Sequence, residues 1–214
     1  KIVVVPHGVT RHEVTDHPLT KEMKQRFAIN GKYILSLCTL EPRKNIAGAI
    51  RAFAKLLDKR PDQADKLSFI IAGKKGWKYE SVFEELERVN RQWERPVVRY
   101  VGYVTSVEKW ALLTTAEAFV YPSYYEGFGL PVLEAMSVAT PVITSRISSL
   151  PEVGGDAVLY ADPGQPGSIA HMIAKLLDEA KNQKIAEAGL KRSHEFSWVK
   201  SAAATLKEFN QYHN

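Results

Sequence analysis

Two glutamates eight positions apart, Glu126 and Glu134, bracket the stretch EGFGLPVLE, whose other members are glycine, proline, aromatic and aliphatic residues. A carboxylate beside apolar surroundings is costly unless a partner or a task accompanies it. Gly127 and Gly129 let a ligand approach the main chain closely. Pro131 suits the first turn of a helix, whose free N–H groups favour negative charge in the preceding turn. Carboxylates are strong acceptors for sugar or ribose hydroxyls. Amides for an anion and carboxylates for hydroxyls together suit a ligand that carries both, such as a sugar nucleotide. A solvated loop and a carboxylate complementing a helix start account for the same two residues.

The second chemical stretch is CTLEPRKN, Cys38 to Asn45, where Arg43 and Lys44 are adjacent cations just ahead of a helical pattern. Cations are ordinarily disfavoured at a helix N-terminus, yet beside free amides they form a clamp for a diphosphate. At ~4 Å in a partly shielded site each charge pair is worth on the order of 4 kcal/mol before desolvation. A solvated basic turn is the plainer reading. Two more loops follow the same logic. AGKKGWK offers Gly73, Lys74 and Lys75 with Trp77, and VGYVTS could hold a flat base against the backbone of Gly102, Tyr103 and Val104. No G-x-G-x-x-G or G-x-x-x-x-G-K-[ST] fingerprint occurs. His7, His12 and His17 are spaced by five, which does not line one helix face, and no Asp-x-Asp pair is present, so neither metal nor cofactor is expected.

These loops need elements to carry them. Short, nearly all-apolar runs recur at 2–5, 33–37, 67–73, 97–102, 118–122, 141–145 and 157–160. Helical patterns lie between most of them. After Asn45, a suitable N-cap, Ile46, Ala49, Ile50, Phe53 and Leu57 share one face, and Pro61 ends the helix near Arg60. Residues 79–93 and 106–114 read as helices, the second capped by Ser106. Residues 168–180, 182–196 and 198–212 read as helices without strands between them, and a short helix is expected around 21–28. The alternation predicts an α/β fold, a parallel sheet with helices on both faces, with ligands bound beyond the strands' carboxyl ends.

The chain has 214 residues, room for a sizeable core. Its 45% hydrophobic and 25% charged content is that of a globular protein. Twenty-nine basic against twenty-four acidic residues give +5, which suits anionic ligands without choosing among them. The single cysteine excludes an internal disulfide framework and fits a reducing compartment. No run approaches the ~18 apolar residues of a membrane span, and no signal peptide is visible. The opening KIVVVP reads as a strand in progress without an initiator methionine, so a fragment lacking an N-terminal part is expected.

With SLPEVGGDAVLYADP downstream, CTLEPRKN upstream and HGV at 7–9, the EGFGLPVLE segment resembles the C-terminal, donor-binding domain of retaining glycosyltransferases of family 4 over nearly the whole chain. The resemblance implies one Rossmann-like half of a GT-B fold. It implies a connector with a short helix at 1–30, a donor domain at 31–195, and a final helix at 196–214 that crosses back to an N-terminal acceptor domain. It implies that Glu126 holds donor-sugar hydroxyls and Glu134 the ribose. Phe128, Gly129 and Leu130 would offer amides to sugar and diphosphate, Lys44 would meet the diphosphate, and Gly102 to Val104 the base. Many members carry Gly-Arg where this chain has Cys38 and Thr39, and Arg43 is the candidate substitute. TLEPRKN with GKKGW is most like bacterial mannosyltransferases of surface-polysaccharide assembly. That implies GDP-mannose as donor, a UDP-sugar as the alternative, and a glycan or lipid-linked acceptor. It implies no nucleic acid, a cytoplasmic location and peripheral membrane association of the whole protein. An epimerase of the same fold, a glycoside hydrolase using Glu126 and Glu134, and a non-catalytic RNA-binding module are the rival readings.

Overall fold

The computed structural model describes residues 2–10, 12 and 18–212. Six strands form one wholly parallel sheet: β1 (Lys32–Leu37), β2 (Leu67–Ala72), β3 (Val98–Gly102), β4 (Ala118–Tyr121), β5 (Val142–Ser145) and β6 (Leu159–Ala161). Their spatial order is β3-β2-β1-β4-β5-β6. Strands buried on both faces need apolar side chains throughout, which is why β4 and β5 are wholly buried and β1 is exposed only at Lys32. The chain builds outward from β1 to β3, then returns to place β4 against the other side of β1. This reversal opens a crevice between the β1 and β4 exits, where ligands of doubly wound sheets bind.

Helix α1 (Lys21–Arg26) precedes the sheet, α2 (Ile46–Lys59), α3 (Glu80–Gln92), α4 (Ser106–Thr115), α5 (Leu130–Ser137) and α6 (Leu150–Gly154) link successive strands, and α7 (Pro166–Leu176), α8 (Glu179–Ser193) and α9 (Trp198–Tyr212) follow β6. α2 buries its expected face and also Ala52, Ala54 and Leu56, because it packs against α3 and α7 as well as the sheet. Phe27 and Ile29, at the end of α1, enter the same core.

Three local expectations are corrected. The apolar run at 2–5 is not a strand: Ile2 and Val4 are 96% and 75% exposed, and the run finds no ladder among the described residues. α4 is capped by Thr105, not Ser106. Thr105 Oγ1 accepts from Glu108 N at 3.3 Å while Glu108 Oε2 accepts from Thr105 N at 2.7 Å, the reciprocal box that a glutamate three residues on makes possible. Asn45 stands at the head of α2 but does not cap it. It takes left-handed angles (φ 55°, ψ 35°) and its side-chain amide donates to Pro122 O and Pro163 O at 3.2 and 2.7 Å. It therefore ties together the loops leaving β1, β4 and β6.

The segment 2–10 runs along the sheet's carboxyl edge. A Cβ on Gly8 would lie 2.0 Å from the Trp198 amide nitrogen, so only glycine admits this approach to the start of α9. His7 stacks edge-on against Phe128 and lies near Trp198, with ring centroids 4.9 and 5.8 Å apart. His12 packs on Trp110, and His17 lies outside the described residues.

A candidate sugar-nucleotide site at the carboxyl edge

The β1 and β4 exits meet through one carboxylate. Glu126 is 7% exposed; its Oε1 accepts from Lys44 Nζ at 2.6 Å and Ser123 Oγ at 2.7 Å, and its Oε2 from Arg43 Nη1 at 3.1 Å. Lys44 is equally buried and also donates to the Tyr121 hydroxyl at 2.5 Å. Arg43 Nε reaches Glu41 at 2.8 Å. Two cations thus face two carboxylates, and the expected diphosphate clamp carries no surplus charge. It does keep donors. An ammonium has three N–H bonds and a guanidinium five, so Lys44 retains one and Arg43 its Nη2 pair. A carboxylate offers about four lone-pair sites, so Glu126 Oε2 can still accept one hydroxyl.

Burial alone would raise the Glu126 pKa, but hydrogen bonds from Lys44 and Ser123 and the Lys44 charge outweigh it and hold the carboxyl below its usual range. Glu126 is therefore an acceptor at neutral pH. Burial raises the Tyr121 phenol far above its ordinary value, so it remains protonated. Burial likewise pushes the Cys38 thiol up to about 12, which leaves it inert at the base of the β1 exit.

The turn into α5 presents main chain. Gly129 heads the helix at φ 108°, an angle that strains any other residue. The amides of Phe128, Gly129 and Leu130 donate to no protein acceptor among the described residues. Ser148 and Ser149, on the loop after β5, brace the turn: Ser148 Oγ accepts from Glu126 N, and Ser149 Oγ donates to the Glu126 and Phe128 carbonyls, each at 3.0 Å. Gly127 has open space where a side chain would begin.

At the exits of β1, β2 and β3 lies a cavity of about 480 Å³ lined by Thr39, Gly73, Lys74, Tyr103, Val104 and Lys109, among others. Gly73 is there because a Cβ would stand 1.8 Å from the Cys38 carbonyl oxygen. Gly102 leaves β3 at φ 78°, which turns the chain so that Tyr103 is exposed and Val104 buried. Glu134 does not line the cavity but pairs with Lys109, which does, its Oε1 accepting from Lys109 Nζ at 2.6 Å. Its Oε2 has no partner among the described residues. The geometry therefore gathers Arg43, Lys44, Glu126 and the turn into α5 at one point, and Gly73, Lys74, Tyr103 and Val104 around the cavity, which Gly102 leads into along the chain and Glu134 reaches through Lys109.

Sequence reasoning missed Lys109, Tyr121, Ser123, Ser148 and Ser149. The box formed by Thr105 and Glu108 was a readable signal for Lys109, because fixing the start of α4 places Lys109 in its first turn. Ser148 and Ser149 come from a loop twenty-odd residues downstream and had no local signal.

The model of the family described as glycosyl transferases group 1 matches residues 20–192. The chain belongs to that family. It is 39% identical over 179 residues to the O-antigen chain mannosyltransferase B of Escherichia coli, covering 83% of this chain and 45% of that protein. It is 32% identical over 197 residues to a serotype-specific mannosyltransferase WbdA of Escherichia coli, covering 89% of this chain and 23% of that one. The chain thus spans less than half the length of these relatives. Among solved structures, a UDP-forming α,α-trehalose-phosphate synthase from Burkholderia vietnamiensis superposes with a TM-score of 0.82 at 15% identity, over 92% of this chain and 50% of that one. A glycosyltransferase from Rickettsia africae gives 0.82 at 17%, over 99% and 57%. At such identities the likeness is one of fold, the Rossmann-like half of GT-B enzymes followed by C-terminal helices.

Proposed function

We propose that this group 1 chain is the donor-binding half of a retaining, metal-independent glycosyltransferase. It moves a hexose from a nucleoside diphosphate sugar to a glycan or lipid-linked acceptor in surface-polysaccharide assembly. GDP-mannose is the first candidate donor, a choice supported by the names of the relatives, and a UDP-sugar is the alternative. The observation that carries the reading is the convergence of Glu126, Lys44 and the unpaired amides of the turn into α5 at the strand exits, together with a cavity whose Lys109 pairs with Glu134. In this reading the base lies along Gly102 to Val104, the ribose hydroxyls donate to Glu134, and the diphosphate takes the α5 amides and the spare N–H bonds of Lys44 and Arg43. The leaving diphosphate is then met by preorganised donors aimed at its developing charge. Glu126 accepts a sugar hydroxyl and orients the ring. A glycoside hydrolase would need one carboxyl held protonated, and the lowered pKa of Glu126 disfavours it as that acid.

The acceptor contacts come from protein outside this chain, so the 214-residue chain binds nucleotide with negligible transfer. The whole enzyme works in the cytoplasm, at the membrane's inner face, without nucleic acid.

Calorimetric titration of GDP, UDP, ADP and GDP-mannose tests the site. Lys44→Ala should weaken GDP and GDP-mannose alike by about tenfold to a hundredfold, the cost of a charge-assisted hydrogen bond. Glu126→Gln should abolish the preference for GDP-mannose over GDP while leaving GDP itself undiminished, because a competing acceptor for Lys44 is weakened. A wild-type chain that binds none of the four ligands sinks the proposal.

A further inference from the structure

Three lysines at one corner of the sheet's carboxyl edge lack a carboxylate. Lys74, Lys75 and Lys78, on the loop between β2 and α3, are exposed and make no ion pair among the described residues. Each lies over an aromatic ring: Lys74 Nζ is 4.9 Å from the Tyr103 centroid, Lys78 Nζ is 5.5 Å from that of Trp77, and Lys75 Nζ is 5.0 and 4.6 Å from those of Tyr79 and Phe83. Two of the rings face solvent, Trp77 at 56% and Tyr103 at 62%, and Val107 in the first turn of α4 is 51% exposed. Exposed tryptophan and tyrosine rings here leave apolar area in water beside lysines that have no carboxylate partner among the described residues. The combination fits the headgroup layer of a membrane, where rings sit among the glycerol groups and ammonium groups meet phosphates.

We infer that this corner is a docking surface for anionic lipid headgroups. The source is a bilayer and not a nucleic acid because the cations cluster at the tip of one loop instead of tracking a groove along which a phosphodiester backbone could run. Among the described residues no helix is long and apolar enough to cross a membrane, so attachment here is superficial and electrostatic. Its strength is modest: one lysine near an anionic surface is worth about a fivefold gain in partitioning. The surface adjoins the cavity, with Lys74 and Tyr103 shared by both, but the inference stands whether or not a sugar nucleotide is the ligand there.

The test is co-sedimentation of the 214-residue chain with vesicles of phosphatidylcholine alone or with about one third phosphatidylglycerol. Lys74 and Tyr103 are left intact. Binding is expected to the anionic vesicles only, falling as salt rises. Lys75→Glu with Lys78→Glu should weaken it by at least about 25-fold. The charge-matched pair Lys59→Glu with Lys66→Glu, at the opposite edge of the sheet, should leave it nearly intact. If the first pair fails to fold by circular dichroism, Trp77→Ala decides, with an expected loss of about tenfold. Equal partitioning onto neutral vesicles, wild-type binding by both corner variants, or tighter binding to a short single-stranded RNA at the same ionic strength overturns the inference.

Discussion

At the scale of single residues, one buried carboxylate organises the site. Glu126 and Lys44 are 7% and 8% exposed at their side chains, so neither charge is solvated well enough to stand alone. Removing one member of such a pair costs roughly 3–5 kcal/mol, because the other stays buried and uncompensated. Glu126→Gln should therefore lower unfolding free energy in urea at pH 7 by roughly 3 kcal/mol. The pH dependence follows from the same contact. The folded pKa lies below the ordinary 4.5, so the contribution is fully present above pH 4.5 and is lost as pH falls through the lowered folded value. Wild type and variant should converge in stability as pH falls from 4.5 through the lowered folded value. Parallel curves over that range would show that the Glu126 charge does no stabilising. The residue types of this site were legible in the chain, since Glu126 stands out by its glycine-rich and apolar surroundings and Arg43 and Lys44 as adjacent cations just ahead of a helical pattern. Their mutual neutralisation was not, because an ion pair across eighty positions leaves no trace in local spacing.

At the scale of elements, the strands were readable because burial on both faces demands continuous apolar runs, and the helix faces because α2 repeats its apolar residues at helical spacing. Caps were less legible. Ser106 and Thr105 are both good cap residues, and only the glutamate three positions after Thr105 distinguishes them. Thr105→Ala should cost about 1 kcal/mol in thermal or urea unfolding, and Ser106→Ala much less. An equal loss in the two variants would mean that the box is not the operative cap. Asn45 shows a different limit. Its side chain looks local, but it bonds to carbonyls 77 and 118 positions away and bridges three strand exits instead of its own helix.

At the scale of the whole molecule, α9 extends beyond the core. Leu206 and Phe209 are 60% and 61% exposed, and Trp198 is 47% exposed. A substitution there removes little buried area, so Leu206→Glu with Phe209→Glu should change unfolding free energy by under about 0.5 kcal/mol. A loss above 2 kcal/mol would show that the helix packs on this chain in solution. The apolar stripe along α9 was visible as a period, but a period states only which residues share a face. Whether that face meets the chain's own core depends on where the helix leaves it. Here Ser197 and Trp198 are held against Gly8, and the helix leads away from there.

The chain by itself determined the alternation of strands and helices, the parallel sheet and the loops that hold the candidate site residues, because those depend on side-chain type at short spacing. It also determined the family, through residues that stand together in EGFGLPVLE and CTLEPRKN. Only the tertiary structure decided that the reversal of strand order brings Lys44 and Arg43 onto Glu126 and Lys109 onto Glu134, and that the opening run finds no ladder. Charge pairing and strand pairing are settled by which distant segments become neighbours, and neighbourhood in space is a property of the packed sheet, not of any one stretch of the chain.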